Sequence, residues 1–170
     1  GMQVKLKRPP APKEVDVPLA DSCRTKVDEA GNVVISKPAT PGMENRKTSI
    51  LQSHMDMVCE SNEPFDFENT PISTHIDGEW VWANGTTLGA DDGIGVAAEL
   101  AILASNDIEH GPIECLVTVD EETGLSGAFA LKNNWLKSRI LLNLDSEDEG
   151  DIFIGCAGGI DTTVDLTFDK

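Results

Sequence analysis

The sequence predicts an α/β domain of three layers, with a mostly parallel central sheet and helices on both faces. Three observations support this fold class. Short apolar segments typical of strands alternate along the chain with longer segments typical of helices, which is the order found in parallel α/β sheets. The chain has 170 residues, enough for one domain with a buried core. Hydrophobic residues make up 39% and charged residues 25%, as in globular proteins.

The predicted elements follow an irregular lead-in over residues 1–30, where charge is mixed and no periodicity is sustained. Apolar alternation and turn signals predict strands over 32–36 and 48–53, a hairpin over 76–83, a strand over 113–119, and strands over 139–144 and 160–168. Runs rich in alanine and leucine predict a buried helix over 94–104 and a second helix over 125–136. A glycine-rich loop over 85–90 precedes the first helix.

Polar residues fall at one kind of position in this pattern. His54, Glu121, Glu122 and Asp145 each follow an apolar strand, and Asp91 follows the glycine loop at the start of a helix. In open α/β sheets, ligands bind at the carboxyl ends of the strands. The sequence therefore predicts that these side chains converge on one rim of the sheet.

The first candidate element is the pair His54 and Asp56. Residues two apart in an extended segment point the same way, so the Asp56 carboxylate can reach the far nitrogen of the His54 ring. Such a contact fixes the tautomer of a metal-bound histidine. Taken alone, the pair is more typical of a strand-end histidine beside a solvated aspartate.

Asp91 is an ordinary helix N-cap by its position, a role that Asp92 could share. The glycines before it also allow the backbone to approach a ligand, and a carboxylate there could bridge two cations. Glu121 and Glu122 are either a solvated turn or a functional pair, in which one glutamate binds metal while the other takes a proton from water.

Asp145 has the same placement as His54, directly after a strand. One histidine with three carboxylates gives a nitrogen and oxygen ligand set that suits zinc, manganese or cobalt. Each residue has an unremarkable explanation by itself. The joint placement of all of them at strand ends is what favours a metal site.

Charge and cysteine content exclude several other classes. The net charge of −17 argues against nucleic-acid binding, and no apolar run reaches the roughly 20 residues that span a membrane. Four cysteines without a C-x-x-C pair predict reduced, packed thiols. With no secretory signal visible, we expect a cytoplasmic protein.

Five motifs together resemble one known family, and they occur in the segments 51–58, 84–95, 120–128, 143–147 and 155–161. They read LQSHMDMV, NGTTLGADDGIG, DEETGLSGA, NLDSE and GCAGGID. The sequence resembles the aminoacyl-histidine dipeptidases, which are co-catalytic zinc peptidases related to carboxypeptidase G and aminoacylase. The resemblance runs from about residue 31 to about residue 165.

The resemblance implies hydrolysis of small dipeptides, especially those ending in histidine, by a water activated by two zinc ions, with cobalt or manganese possible. It implies Glu121 as general base and Asp56 as the residue that orients His54. It implies four metal ligands: His54 on the first zinc, Asp91 bridging both, Glu122 on the second, and Asp145 completing the first.

Members of the family are several times longer than this chain. They carry a lid or dimerisation domain and a returning catalytic segment that supplies a final histidine ligand. We therefore expect residues 31–170 to form a partial catalytic domain that is weakly active or inactive alone, with exposed apolar surface that permits self-association or contact with a missing C-terminal half. Two alternatives stay open: a tripeptide aminopeptidase of the same clan, and an inactive relic that acts as a metal-binding or interaction module.

Overall fold

The computed structural model describes residue 19 and residues 22–146, 150–160 and 162–167. The first elements in chain order are β1 (Arg24–Val27), β2 (Val33–Lys37), β3 (Ser49–His54), the hairpin strands β4 (Thr74–Asp77) and β5 (Trp80–Ala83), and helix α1 (Ala90–Ala104). They are followed by β6 (Ile113–Thr118), the short helices α2 (Glu121–Gly124) and α3 (Ser126–Ala130), and β7 (Leu141–Asn143).

Within the described residues, five strands form the central sheet in the order β1-β2-β6-β3-β7. The prediction of an α/β fold is confirmed, and the sheet is mixed. Strand β3 runs parallel to both β6 and β7, whereas β2 runs antiparallel to both β1 and β6. The three mutually parallel strands lie side by side, so their carboxyl ends share one edge, and His54 lies opposite Thr118 there.

One face of the sheet packs against helix α1. Ile35, Leu51 and Cys115 come from three adjacent strands, and Leu103 reaches them from the helix. Side chains alternate between the two faces along a strand, so the neighbours of these residues point the opposite way. Burial of these apolar side chains fixes α1 on the sheet.

The other face of the sheet has its own core. Val34, Ile50 and Leu116 are buried there, each next in sequence to a residue of the first core. They pack against side chains from the segment that follows α3: Leu131, Trp135 and Leu136. The predicted three-layer arrangement is therefore present, although irregular chain covers much of the second face.

The buried face of helix α1 is not uniformly apolar, because it contains two acidic residues as well as Leu103. The buried residues are Asp92, Gly95, Glu99 and Leu103, spaced three or four apart as one helix face requires. Ile94 on the other side is exposed. The prediction of a wholly buried helix is therefore wrong, and the carboxylates of the inward face lie near the sheet edge.

The predicted helix over 125–136 is wrong beyond its first turn. Leu125 is left-handed, with φ of 56°, and separates α2 from α3. The helix ends at Ala130, and Asn134 is again left-handed at φ of 65°. Asparagine tolerates this conformation and favours turns, so the chain leaves the helix although its apolar residues still reach the core.

Two other strand predictions differ from the structure. Strand β1 falls inside the predicted lead-in over 1–30, most of whose first 21 residues lie outside the described part of the chain. The predicted strand over 160–168 is not formed at 160 or 162–167, while 161 and 168 lie outside the described residues. The predicted hairpin is confirmed, with Gly78 at φ of 61° in its turn.

All four cysteines are free. Cys115 is buried in the first core and Cys23 packs beside it, whereas Cys59 and Cys156 are exposed. The prediction of packed thiols is wrong for the latter two. In the part of the chain that the structure describes, none of the helices has the length and apolar character of a membrane span.

Candidate metal centre

His54 lies at the end of β3 with 1% of its surface exposed. Its Nε2 atom is 3.0 Å from Oδ1 of Asp91 and 3.8 Å from Oδ2 of Asp145. Its Nδ1 atom lies 3.0 Å from the backbone carbonyl of Asp56. A hydrogen on Nδ1 donated to that carbonyl leaves the lone pair of Nε2 facing the carboxylates, which is the tautomer that a metal requires.

Asp56 contacts the histidine mainly through its backbone rather than through its carboxylate. The nearest carboxylate oxygen is 3.5 Å from Nδ1 of His54, longer than the bond to the carbonyl. The carboxylate instead accepts hydrogen bonds from the backbone N–H groups of Glu121 and Glu122, each at 3.1 Å. Asp56 thus contacts the histidine ring with its backbone carbonyl and the backbone of the glutamate pair with its carboxylate.

Asp91 comes to the site from the start of helix α1. Its backbone is non-helical, with φ of −85° and ψ of 112°, and its side chain, which is 53% exposed, turns towards His54. The side chain of Asp92, not that of Asp91, accepts the backbone N–H of Gly95 three residues on, as an N-cap does. Asp91 is therefore left free to face the histidine.

The side chains predicted from the sequence are brought together in two groups. In each group, the potential ligand atoms lie within 4.8 Å of one another. His54 belongs to both: with Glu121 and Asp145 in one, and with Asp91 and Glu122 in the other. Because each glutamate joins a different group, distance alone does not separate a ligand from a general base.

The electrostatics of the site reflect concentrated negative charge. Burial and the charge of Asp91 raise the pKa of Asp145 to about 6. Burial and the charges of Asp91 and Glu121 also raise the pKa of Glu122 above its ordinary value. Burial lowers the pKa of His54, but the hydrogen bond that the protonated ring donates from Nε2 to Asp91, together with the surrounding carboxylates, outweighs it, and the net shift is upward. Clustered carboxylates around a histidine fit a divalent cation, which would relieve their repulsion.

The other two histidines lie apart from this site. His75 is exposed on β4, and the His110 ring contacts the carbonyl of Gly111 at 2.7 Å in a loop. Sequence reasoning considered Asp92 only as a helix N-cap and missed its contact with the site, in which its carboxylate accepts the backbone N–H of His54. The available signal was an aspartate three residues before Gly95 at a helix start.

Two relatives with known structures share this fold. The aminoacylhistidine dipeptidase of Vibrio alginolyticus superimposes with a TM-score of 0.73 and 60% identity, over 75% of this chain and 26% of that one. The aminopeptidase PepT of Bacillus cereus gives a TM-score of 0.60 and 29% identity, over 74% of this chain and 34% of that one.

Sequence comparison agrees with the structural likeness. The cytosol non-specific dipeptidase of Escherichia coli (strain K12) is 57% identical over 145 residues, which are 84% of this chain and 30% of the relative. The chain thus spans about a third or less of the length of these dipeptidases. Residues 50–164 match the model of Peptidase family M20/M25/M40. The family resemblance seen in the motifs is confirmed, and the chain belongs to Peptidase family M20/M25/M40.

Proposed function

We propose that this chain carries the metal-binding part of a metal-dependent dipeptidase. The observation that carries the proposal is the convergence of His54 with four carboxylates, on three neighbouring strand ends and one helix start, into two possible ligand groups. The proposal is also supported by the 57% identity between this chain and a cytosol non-specific dipeptidase. A cytoplasmic location is part of the proposal, and the name of the same relative supports it.

The proposed ligands are those expected from the sequence. His54 and Asp145 would hold one zinc ion, Glu122 would hold a second, and Asp91 would bridge the two, with cobalt or manganese as substitutes. When bound, the cations would acidify a water molecule and polarise the peptide carbonyl. The donor set supports this assignment, because one neutral imidazole nitrogen and several carboxylate oxygens are ligands that zinc accepts.

The remaining chemistry falls to groups of the chain itself. Glu121 would accept a proton from the attacking water at its carboxylate and pass it to the leaving amine of the peptide. The Asp56 carboxylate would hold the backbone of Glu121, and the Asp56 carbonyl would keep the proton of His54 on Nδ1. Both contacts fix side chains before the substrate arrives, which reduces the cost of organising the site.

A small dipeptide is the proposed substrate, with a C-terminal histidine preferred. The proteins named as dipeptidases are 57–60% identical to this chain, whereas the tripeptidase of Staphylococcus aureus is 28% identical. Incubation with zinc and either carnosine or a tripeptide separates the two activities. Faster hydrolysis of the tripeptide would contradict the proposal and favour a tripeptide aminopeptidase instead. Retained zinc with no hydrolysis of either peptide would show that this partial catalytic domain is inactive alone, an outcome that also fits a metal-binding module.

Metal content tests the site independently of turnover. After dialysis against dilute zinc, we expect the chain to retain metal and the Asp91→Ala variant to lose most of it. Asp77→Ala is the matched control, because Asp77 is an exposed aspartate at the end of β4, outside both ligand groups. Equal metal in all three proteins, or none in the parent chain, would contradict the proposed ligand set.

The two glutamates need a separate comparison because each lies in one ligand group. The amide of Gln is a much poorer ligand than a carboxylate, so Glu122→Gln should lower zinc affinity strongly. Glu121→Gln should bind zinc with an affinity close to that of the parent, because its proposed role is proton transfer. Isothermal titration of both variants decides the matter, and a larger loss of affinity in Glu121→Gln would reverse the two roles.

A further inference from the structure

Asp92 is a buried carboxylate that none of the proposed roles uses. Only 2% of its surface is exposed. Its Oδ2 atom accepts a hydrogen bond from the backbone N–H of His54 at 3.2 Å, and its Oδ1 atom accepts one from the backbone N–H of Gly95 at 3.1 Å. The carboxylate therefore connects the end of β3 to the first turn of α1.

Gly95 makes room for this carboxylate. A Cβ atom on residue 95 would lie 2.3 Å from Oδ1 and 2.7 Å from Oδ2 of Asp92, far inside ordinary van der Waals contact. Any side chain at this position must displace the carboxylate, because the close approach is possible only for glycine. Gly93, in the same helix, provides a contrast, since a Cβ there meets nothing within 4 Å.

The connection made by Asp92 lies next to two of the proposed ligands. Asp91 precedes it in the chain, and His54 is its hydrogen-bond partner. The distance of 3.0 Å between Nε2 of His54 and Oδ1 of Asp91 spans the same two elements that Asp92 joins. A displaced Asp92 carboxylate would let the helix start move relative to the strand end, and this distance would change.

We infer that Asp92 and Gly95 form a positioning pair, which sets the spacing between His54 and Asp91 and so tunes the affinity and geometry of the metal site. This inference rests on the proposed metal site. Neither residue would touch the metal or the substrate; both act through the backbone of His54 and the start of α1. Partners of this indirect kind commonly affect metal affinity by about 10- to 100-fold.

The test is a titration of the metal-free chain with Co²⁺, followed by visible absorption, which reports both affinity and coordination geometry. We expect Gly95→Ala to weaken Co²⁺ binding by about 10-fold or more and to change the absorption bands. Gly93→Ala is the matched control and should bind like the parent. Asp92→Asn has a side chain of nearly the same size and keeps one acceptor oxygen, so its Co²⁺ affinity should lie between those of Gly95→Ala and Gly93→Ala. This second variant keeps the test valid if Gly95→Ala does not fold.

Amide hydrogen exchange of His54, measured by NMR without metal, supplies a second readout. The His54 N–H should exchange faster in Gly95→Ala and Asp92→Asn but not in Gly93→Ala. Unchanged exchange, or equal Co²⁺ affinity in the parent, Gly95→Ala and Asp92→Asn, would overturn the inference while leaving the proposed site intact. A parent chain that binds no Co²⁺ would instead overturn the proposed metal site itself, and the inference with it.

Discussion

Oδ1 of Asp56 accepts a hydrogen bond from the backbone N–H of Glu121 at 3.1 Å, although 65 residues separate them in the chain. The other oxygen of the same carboxylate accepts the neighbouring N–H of Glu122. Asp56 follows β3 and the glutamates follow β6, so this carboxylate joins two strand ends across the rim of the sheet. The histidine is contacted mainly by the backbone carbonyl of Asp56 instead.

Removal of the Asp56 carboxylate should therefore disturb mainly the glutamate pair, because the backbone carbonyl that contacts the His54 ring stays in place. We expect Asp56→Ala to lose about 1–3 kcal/mol of unfolding free energy, because two backbone donors lose their acceptor. Zinc affinity should also fall by about 10-fold or more. Urea unfolding and zinc titration measure the two effects.

A suitable control for this variant is Asp66→Ala. The Asp66 carboxylate also accepts two backbone N–H groups, from Glu68 and Asn69, but in an exposed loop away from the ligand groups. Loss of stability without loss of zinc affinity is expected there. If Asp56→Ala behaved in the same way, Asp56 would be a structural residue only.

Glu99 should make the stability of the fold depend on pH. It is 1% exposed, and among the residues that the structure describes neither of its carboxylate oxygens has a partner with full hydrogen-bond geometry. Burial raises the pKa of Glu99 to about 8, with a contribution from the negative charge of Asp92; the nearby Ser53 hydroxyl opposes the shift but does not offset it. The folded state thus holds the proton more tightly than the unfolded state, whose glutamate has its ordinary pKa of 4.5.

The sign of the effect follows from that difference. Below pH 4.5 both states are protonated and the fold keeps its full stability, whereas stability is lost as pH rises from there through 8. The side chain of the Glu99→Gln variant cannot ionise. The unfolding free energy of this variant should therefore exceed that of the parent by an amount that grows across this pH range to the order of a few kcal/mol. Denaturant unfolding at several pH values measures it, with exposed Glu109→Gln as control for the loss of one charge. A constant difference between Glu99→Gln and the parent would contradict the prediction.

Gly127 should be intolerant of any side chain. A Cβ atom there would lie 2.3 Å from the carbonyl oxygen of Val119 and 2.5 Å from Oδ1 of Asn32. Asn32 is fully buried and bonds to both residues: it accepts the N–H of Val119 at 3.2 Å and donates to the carbonyl of Gly127 at 2.8 Å. This network closes the segment that carries the glutamate pair.

We expect Gly127→Ala to lose about 1–3 kcal/mol of unfolding free energy, because backbone atoms must move to admit the methyl group. Gly124→Ala is the control, since a Cβ at residue 124 meets nothing within 4 Å. Thermal unfolding of the two variants gives the comparison. Similar melting temperatures would show that the segment adapts without cost.

Local patterns in the sequence predicted the parts of the fold that are themselves local. Apolar alternation located β2, β3 and β6, and the placement of His54 and Asp145 after strands predicted their convergence. The early end of α3 was not predicted, because Leu125 and Asn134 leave helical geometry within a stretch of helix-compatible composition. Strand β1 was missed since its hydrogen bonds depend on β2, a partner that its own residues do not specify.

The supporting contacts of the site were the hardest to predict. The bond from Asp56 to the glutamate backbone and the approach of Asp92 to Gly95 depend on how strands and a helix are placed in space. The carboxylates of Asp56 and Asp92 are half-buried and buried, and each accepts backbone N–H groups. A sequence shows the acidic residue without showing the N–H group that it binds. This is why the sequence named the proposed ligands and Asp56 as a partner of His54, but not the backbone N–H groups that Asp56 and Asp92 bind.

The parallel arrangement of β3, β6 and β7 has a consequence for the order of folding. None of these strands is joined to its neighbour by a hairpin, so the contacts between different elements at the site close long loops, such as the 37 residues between His54 and Asp91. We expect such contacts to form late, after the sheet has assembled. We expect a nascent or partly unfolded chain to have no selective affinity for metal, so that uptake of the ion marks the completion of folding rather than its start.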